Sequence, residues 1–200
     1  ILELAVDMRE AFRVYTQGKL TFSAGIAFFS PSYPIHSMAK ITGELEDMAK
    51  KTPQKDAVAL FGMDTNEDGT ELLCHHVHKW DAFEQGVCRE KLQFLQQSFN
   101  LQGTHSDALP VGKTMLYRLK GLVEELDRSG DKINLARFLY TLARMQPQKQ
   151  KDEAKYERQM EIYGDVLEQL YYWVKADKDR KELLTALHLA IYYMRDNQKN

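Results

Sequence analysis

The chain has little cysteine. Cys74 and Cys88 are the only two among 200 residues. That excludes a disulfide scaffold, and their spacing matches no common zinc motif. A reducing, cytoplasmic setting is therefore expected. No uninterrupted apolar run approaches the roughly 20 residues of a membrane helix, and no secretory leader is expected either. Charge excess is also missing. With 27 basic against 29 acidic residues the formal net charge is -2, which excludes wholesale attraction to nucleic acid or membrane. Any such binding needs a local patch. Internal repeats and low-complexity tracts are absent too. What is present is ordinary for a globular protein: 44% hydrophobic and 28% charged residues. The length suffices for one large domain or two small ones.

The segment 1–18 has apolar residues Ile1, Leu4, Ala5, Met8, Phe12 and Tyr15 at helical spacing from its first position, with Gly18 as a stop. It lacks an initiator Met and a cap, so a piece of a longer polypeptide is expected. "LTFSAGIAFF" (20–29) reads as a strand whose small residues permit close packing. "SPSYP" is a turn. Ile35, Met38, Ile41, Leu45 and Met48 mark an amphipathic helix ending in Lys50 and Lys51. "DAVALFG" (56–62) is a second strand, and "ELLCHHVHKW" (71–80) a third that closes a hairpin.

After about residue 80 only helical stripes remain. They are Trp80, Phe83, Val87, Phe94 and Leu95; then Met115, Leu116, Leu119, Val123 and Leu126. Ile133, Ala136, Leu139, Tyr140 and Ala143 follow, with Asp131 as the cap. Tyr156, Met160, Tyr163, Leu167, Leu170 and Val174 form a fourth, and Leu183, Leu184, Leu187, Ile191 and Met194 a fifth. The reading is α+β: part of a sheet layer with helices on one face in residues 1–79, followed by an all-α helical bundle in residues 80–200.

Several patterns imitate chemistry. "DTNEDG" (64–69) has the opening of a calcium loop, but the twelfth position is His75 where a bidentate Glu belongs. A polar hairpin turn is the better reading. "CHHVH" sets Cys74, His76 and His78 on one face of a strand. A zinc site needs a fourth ligand, and Cys88 serves only if the next helix folds back. A solvated edge-strand face is the expectation. His188 lies in a helical stripe and reads as a packed residue. Tyr171, Tyr172, Trp173, Tyr192 and Tyr193 exceed what one helix face buries. Some of them are expected at the surface, as in a protein interface. Lys50 and Lys51 suit the negative end of a helix dipole and equally suit contact with a phosphate. Spacing leaves both readings open.

Resemblance goes further. "LTFSAGIAFF", "YPIHSMAKITGELEDMAKK" and "KDAVALFG" resemble the rear part of a ferredoxin-like palm of the nucleotide-cyclase (GGDEF) type, with Ala49-Lys50 at that family's Ala-Lys position. The form "SAGIA…P…M…TGELE…AK" is most similar to the large subunit of the type III-A (Csm-type) CRISPR interference complex. "INLARFLYTLARM" (133–145) resembles that subunit's C-terminal helical domain.

The resemblance implies a parent that converts ATP, with magnesium or manganese, to cyclic oligoadenylate when target RNA is bound. It also implies an HD domain that cleaves single-stranded DNA. The Gly-Gly-Asp-Asp motif that would hold the metal ions is absent from this chain, so alone it is expected to be inactive. By analogy it supplies part of the ATP-site wall, with Lys50 neutralising triphosphate charge and Ser23 offering a hydroxyl. The helical half would meet small helical subunits near the guide and target RNA. The rival expectation is a non-catalytic degenerate palm with a helical scaffold for protein partners.

Overall fold

The structure is a computed structural model that describes residues 1–62, 64–65, 72–73, 76–101 and 107–196. It contains two compact units, Ile1–Glu84 and Gln85–Asn200. Among the described residues no helix is long and apolar enough to cross a membrane.

The first unit opens with helix α1 (Leu2–Tyr15), followed by strand β1 (Ala24–Ile26), helix α2 (Ile35–Lys50), a 3-10 turn (Pro53–Lys55) and strand β2 (Ala57–Leu60). Strands β3 (Asp64–Thr65) and β4 (Leu72–Leu73) form a separate antiparallel pair, and β5 (Val77–Lys79) completes the main sheet. The sheet order is β1-β2-β5. β1 runs parallel to β2 with Gly25 opposite Ala59, while β5 runs antiparallel to β2 with His78 opposite Val58. The strand expected over 20–29 thus pairs over three residues only. The strand expected over 71–80 divides between β4 and β5.

Small residues let α2 lie close against the sheet. Leu45 and Ala49 on the helix, and Ala57 and Ala59 on β2, are fully buried together. Gly25 admits the closest approach: a Cβ built there would stand 2.7 Å from the Glu46 backbone nitrogen and 2.8 Å from Leu45 Cβ. No other residue fits without moving helix backbone. Ile35, expected in the buried stripe, is exposed at the first turn.

Arg9 ties α1 to the sheet. Its Nη2 lies 2.7 Å from Asp56 Oδ2 and 3.2 Å from Asp81 Oδ1. Trp80 Nε1 donates to the Phe22 carbonyl at 2.7 Å, and the Trp80 ring lies 5.9 Å from Phe22 and 6.1 Å from Phe83. The stripe Ile1, Leu4, Met8 and Tyr15 of α1 faces outward.

A π-helix (Ala82–Leu92) contains the division between the units and continues into α3 (Gln93–Ser98). The second unit adds α4 (Lys113–Ser129), α5 (Lys132–Ala143), α6 (Glu153–Lys175) and α7 (Asp177–Asp196). α7 is the central helix, packed against α3, α4 and α6. Its residues from Glu182 to Leu187 are buried without interruption. Asp131 caps α5 as the sequence predicts, its side chain accepting from the Ile133 N–H at 3.0 Å.

α5 presents the opposite face from the one expected. Asn134, Phe138, Thr141 and Leu142 are buried, whereas Ile133 is 51% and Tyr140 61% exposed. Both stripes satisfy helical spacing. The buried one carries the wholly apolar Phe138 ring, and its two polar members, Asn134 and Thr141, disguised it.

Candidate functional site

β1 and β2 are parallel and α2 returns between them, so the C-terminus of α2 lies at the sheet end where both strands begin. This topology gathers Lys50, Lys51, Ser23 and Lys55 at one end of the sheet. The two residues expected at a nucleotide are therefore near one end, but each already has a local partner.

Lys50 Nζ is 2.8 Å from Glu46 Oε1 and 3.9 Å from Asp47 Oδ1, both one turn back on α2. The hydrogen bond that Lys50 donates to Glu46 is the main cause that raises the lysine pKa above its ordinary value, which keeps the exposed group cationic. The Ser23 hydroxyl donates to the Lys55 carbonyl at 2.6 Å. Among the described residues Lys51 Nζ reaches only Met48 Sδ, at 3.4 Å. Lys55 has no ion-pair partner among the described residues.

A cavity of about 250 Å3 opens beside α1, with Arg9, Phe12, Arg13, Phe22 and Asp56 in its walls. Neither Lys50 nor Ser23 lines it. Its two guanidiniums are already neutralised, Arg9 by Asp56 and Asp81 and Arg13 by Glu10 at 2.7 Å. The Asp56 hydrogen bond chiefly holds the Arg9 pKa above its ordinary value. These walls offer an anion no uncommitted cation.

The histidines of "CHHVH" differ from expectation. His76 and His78 are buried, where a solvated face was expected. The His76 ring meets Phe61 edge-on at 4.7 Å, and His78 lies 6.5 Å from the Phe83 ring. Aromatic packing explains both. Cys74 and His75 lie outside the described residues, as do positions 66–69 of the calcium-like stretch. His188 is half-buried and stacks on Tyr192 at 5.6 Å, a packed position as expected. Trp173 is buried, while Tyr171 and Tyr172 reach the surface.

The second unit contains a charged cluster that the sequence reading missed. Lys91, on the π-helix, is fully buried. Its Nζ lies 2.8 Å from Glu182 Oε2, 3.0 Å from Asp179 Oδ1 and 3.1 Å from Glu90 Oε2. The same ammonium stands 5.1 Å from the Trp173 ring centre, and Trp173 Nε1 donates to Glu90 Oε1 at 3.1 Å. Desolvation works to lower the Lys91 pKa, but hydrogen bonds to Glu182 and Asp179 outweigh it and the net direction is up. Glu90, Asp179 and Glu182 lie close enough to share a metal ion, yet the ammonium already sits among them. The sequence signal was a lysine four residues from both Val87 and Leu95, inside an apolar stripe.

Comparison with known proteins agrees with both halves. Residues 1–59 match the family model described as the Cas10/Cmr2 second palm domain. Residues 97–196 match the second helical domain of the Cmr2 subunit of the CRISPR RNA silencing complex. The CRISPR system single-strand-specific deoxyribonuclease Cas10/Csm1 (subtype III-A) of Mycobacterium tuberculosis is 34% identical over 198 residues, 99% of this chain and 21% of that protein. Its Streptococcus thermophilus counterpart is 34% identical over 196 residues, 98% of this chain and 23% of that protein. The Enterococcus italicus counterpart is 31% identical over 196 residues, 98% and 21% respectively. The chain thus spans about a fifth of the length of these curated relatives.

Proposed function

The chain belongs to the Cas10/Cmr2 family of CRISPR complex subunits, and from that premise we propose that it serves as the rear wall of an ATP site in a type III-A large subunit. The observation that carries this reading is the β1-α2-β2 unit. It sets the Lys50 ammonium at the end of a sheet, inside the segment that matches the second palm domain. Lysine is a compact, strongly hydrated charge suited to the phosphates of a nucleotide. Glu46 and Asp47 lie on the same helix and hold Lys50 until a more strongly charged anion competes for it.

In the intact polypeptide the reaction is the conversion of ATP to cyclic oligoadenylate on target RNA binding. Magnesium or manganese would neutralise charge on the reacting phosphates. The carboxylates for that metal belong to a Gly-Gly-Asp-Asp motif that this chain lacks. Glu46 and Asp47 are both turned to Lys50. Alone it is inactive. The relatives are named single-strand-specific deoxyribonucleases, and that activity belongs to the parent's HD domain. The helical unit meets other subunits of the complex, and the guide and target RNA lie near it.

The test is Lys50→Ala in the full-length polypeptide, assembled into its complex. ATP consumption falls while assembly is unchanged. Undiminished synthesis overturns the reading and returns Lys50 to a solvated helix end. A second reading, a non-catalytic palm with a helical scaffold, draws on the outward apolar face of α5 at Ile133 and Tyr140. It gains if the parent has no Gly-Gly-Asp-Asp preceding this segment.

A further inference from the structure

We infer that Lys55 is the second phosphate-facing group at this end of the sheet, and that Ser23 is the positioning residue that holds it; the inference rests on the ATP-site reading above. Gln54 and Lys55 have φ of 74° and 51°. Two consecutive non-glycine residues in the left-handed region are strained, and such strain persists only where the surroundings fix it.

Here they do so from every side. Pro53 precedes the pair. The Lys55 N–H donates to the Thr52 carbonyl at 3.1 Å, and the Thr52 hydroxyl donates to the Ala49 carbonyl at 2.7 Å. The Ser23 hydroxyl donates to the Lys55 carbonyl at 2.6 Å. The next residue, Asp56, is held by Arg9 at 2.7 Å. All of this serves the backbone. What remains uncommitted is the exposed Lys55 ammonium, which has no ion-pair partner among the described residues.

The chemistry of Ser23 points the same way. A serine hydroxyl has one proton to donate. That proton goes to the Lys55 carbonyl, so it is not available to a phosphate oxygen while the turn keeps this shape. Ser23 therefore acts through Lys55. The Arg9–Asp56 pair adds to the effect, because the carboxylate beside Lys55 is already neutralised. The ligand class is the polyphosphate tail of a nucleoside triphosphate.

The experiment uses the full-length polypeptide in its complex, with ATP as the probe and steady-state synthesis as the readout. Lys55→Ala raises KM for ATP by about tenfold, the loss expected for one charge-assisted contact. Lys55→Arg lies between the two. Ser23→Ala raises KM to a smaller extent. Adding Gln54→Asn to Ser23→Ala restores KM toward wild type, since Asn adopts positive φ more readily than Gln. A Ser23→Ala defect that Gln54→Asn leaves untouched means that Ser23 touches the nucleotide itself, and overturns the positioning role. An unchanged KM in Lys55→Ala, beside an impaired Lys50→Ala, overturns this inference alone. Unchanged ATP use in both lysine variants removes the ATP-site reading beneath it. Should Ser23→Ala fail to fold, the two Lys55 variants decide, because that side chain is exposed.

Discussion

Lys91 and Glu182 form a buried ion pair, with Nζ 2.8 Å from Oε2, and it joins the π-helix to the central helix α7. Glu182 is itself buried, and its Oε1 has no hydrogen-bond partner among the described residues; Lys178 Nζ is 3.8 Å away. The second oxygen therefore depends on charge balance from Lys91.

Lys91→Met leaves three carboxylates together without their cation. The variant is expected to lose about 3–5 kcal/mol, as when one member of a buried pair is removed. Denaturant melts of the wild type and variant check this. Replacing Lys91 and Glu182 together by apolar residues of similar volume costs much less.

The pair also sets an alkaline limit. The Lys91 pKa is raised in the folded protein, so its contribution is fully present below the unfolded value of about 10.4. It is lost as pH rises through the higher folded value. Wild-type stability falls in that alkaline window, and Lys91→Met removes this component of the fall. Melting curves from neutral pH upward test it. Equal alkaline slopes in the two proteins refute it.

Gly86 stands directly against this pair, because a Cβ there would overlap the Glu182 carboxylate. Glu182 cannot swing aside without leaving Lys91. Gly86→Ala is expected to cost about 1–3 kcal/mol through overpacking. In a Glu182→Ala background the overlap is gone and the cost falls, so a double-mutant cycle gives a clear coupling. Additive effects would refute the contact.

Gly25 gives a contrasting case. Its neighbours are backbone atoms of α2, including the Glu46 nitrogen at 2.7 Å, and the Leu45 Cβ, which an alanine would keep, so no truncation to alanine relieves them. Gly25→Ala destabilises by about 1–3 kcal/mol or more. No single truncation on α2 rescues it. Rescue by Leu45→Ala would overturn this account.

The outward face of α5 makes the opposite prediction. Ile133→Ser and Tyr140→Ser change stability by no more than about 0.5 kcal/mol, as at other surface positions, yet weaken association with partner subunits. Thermal melts and co-purification of the complex separate the two effects.

Much of this was legible in the sequence. The periodicity around Leu45 identified α2, and Asp131 marked the start of α5 by its capping chemistry. Two things escaped. A helix with apolar residues on two faces does not declare which one is buried, and on α5 Phe138 and Leu142 outweighed Ile133 and Tyr140. Lys91 escaped because a lysine in an apolar stripe reads as an interruption until acids from α7, 88 to 91 positions later, are brought to it. At the candidate site, Ser23 and Lys50 were visible as residue types. The bond from Ser23 to Lys55 depends on a strained turn that no local pattern announces.

The wide helix over Ala82–Leu92 has a consequence for chain length. Deleting one residue inside it would let the segment relax to ordinary winding. At about 3.6 residues per turn, each residue removed between Gly86 and Lys91 turns one by roughly 100° about the helix axis relative to the other, while Gly86 stands against Glu182. Lys91 would then swing away from Asp179 and Glu182. Loop insertions elsewhere are absorbed locally, but here the residue count acts as a phase setting, and gaps in an alignment of relatives should avoid this stretch.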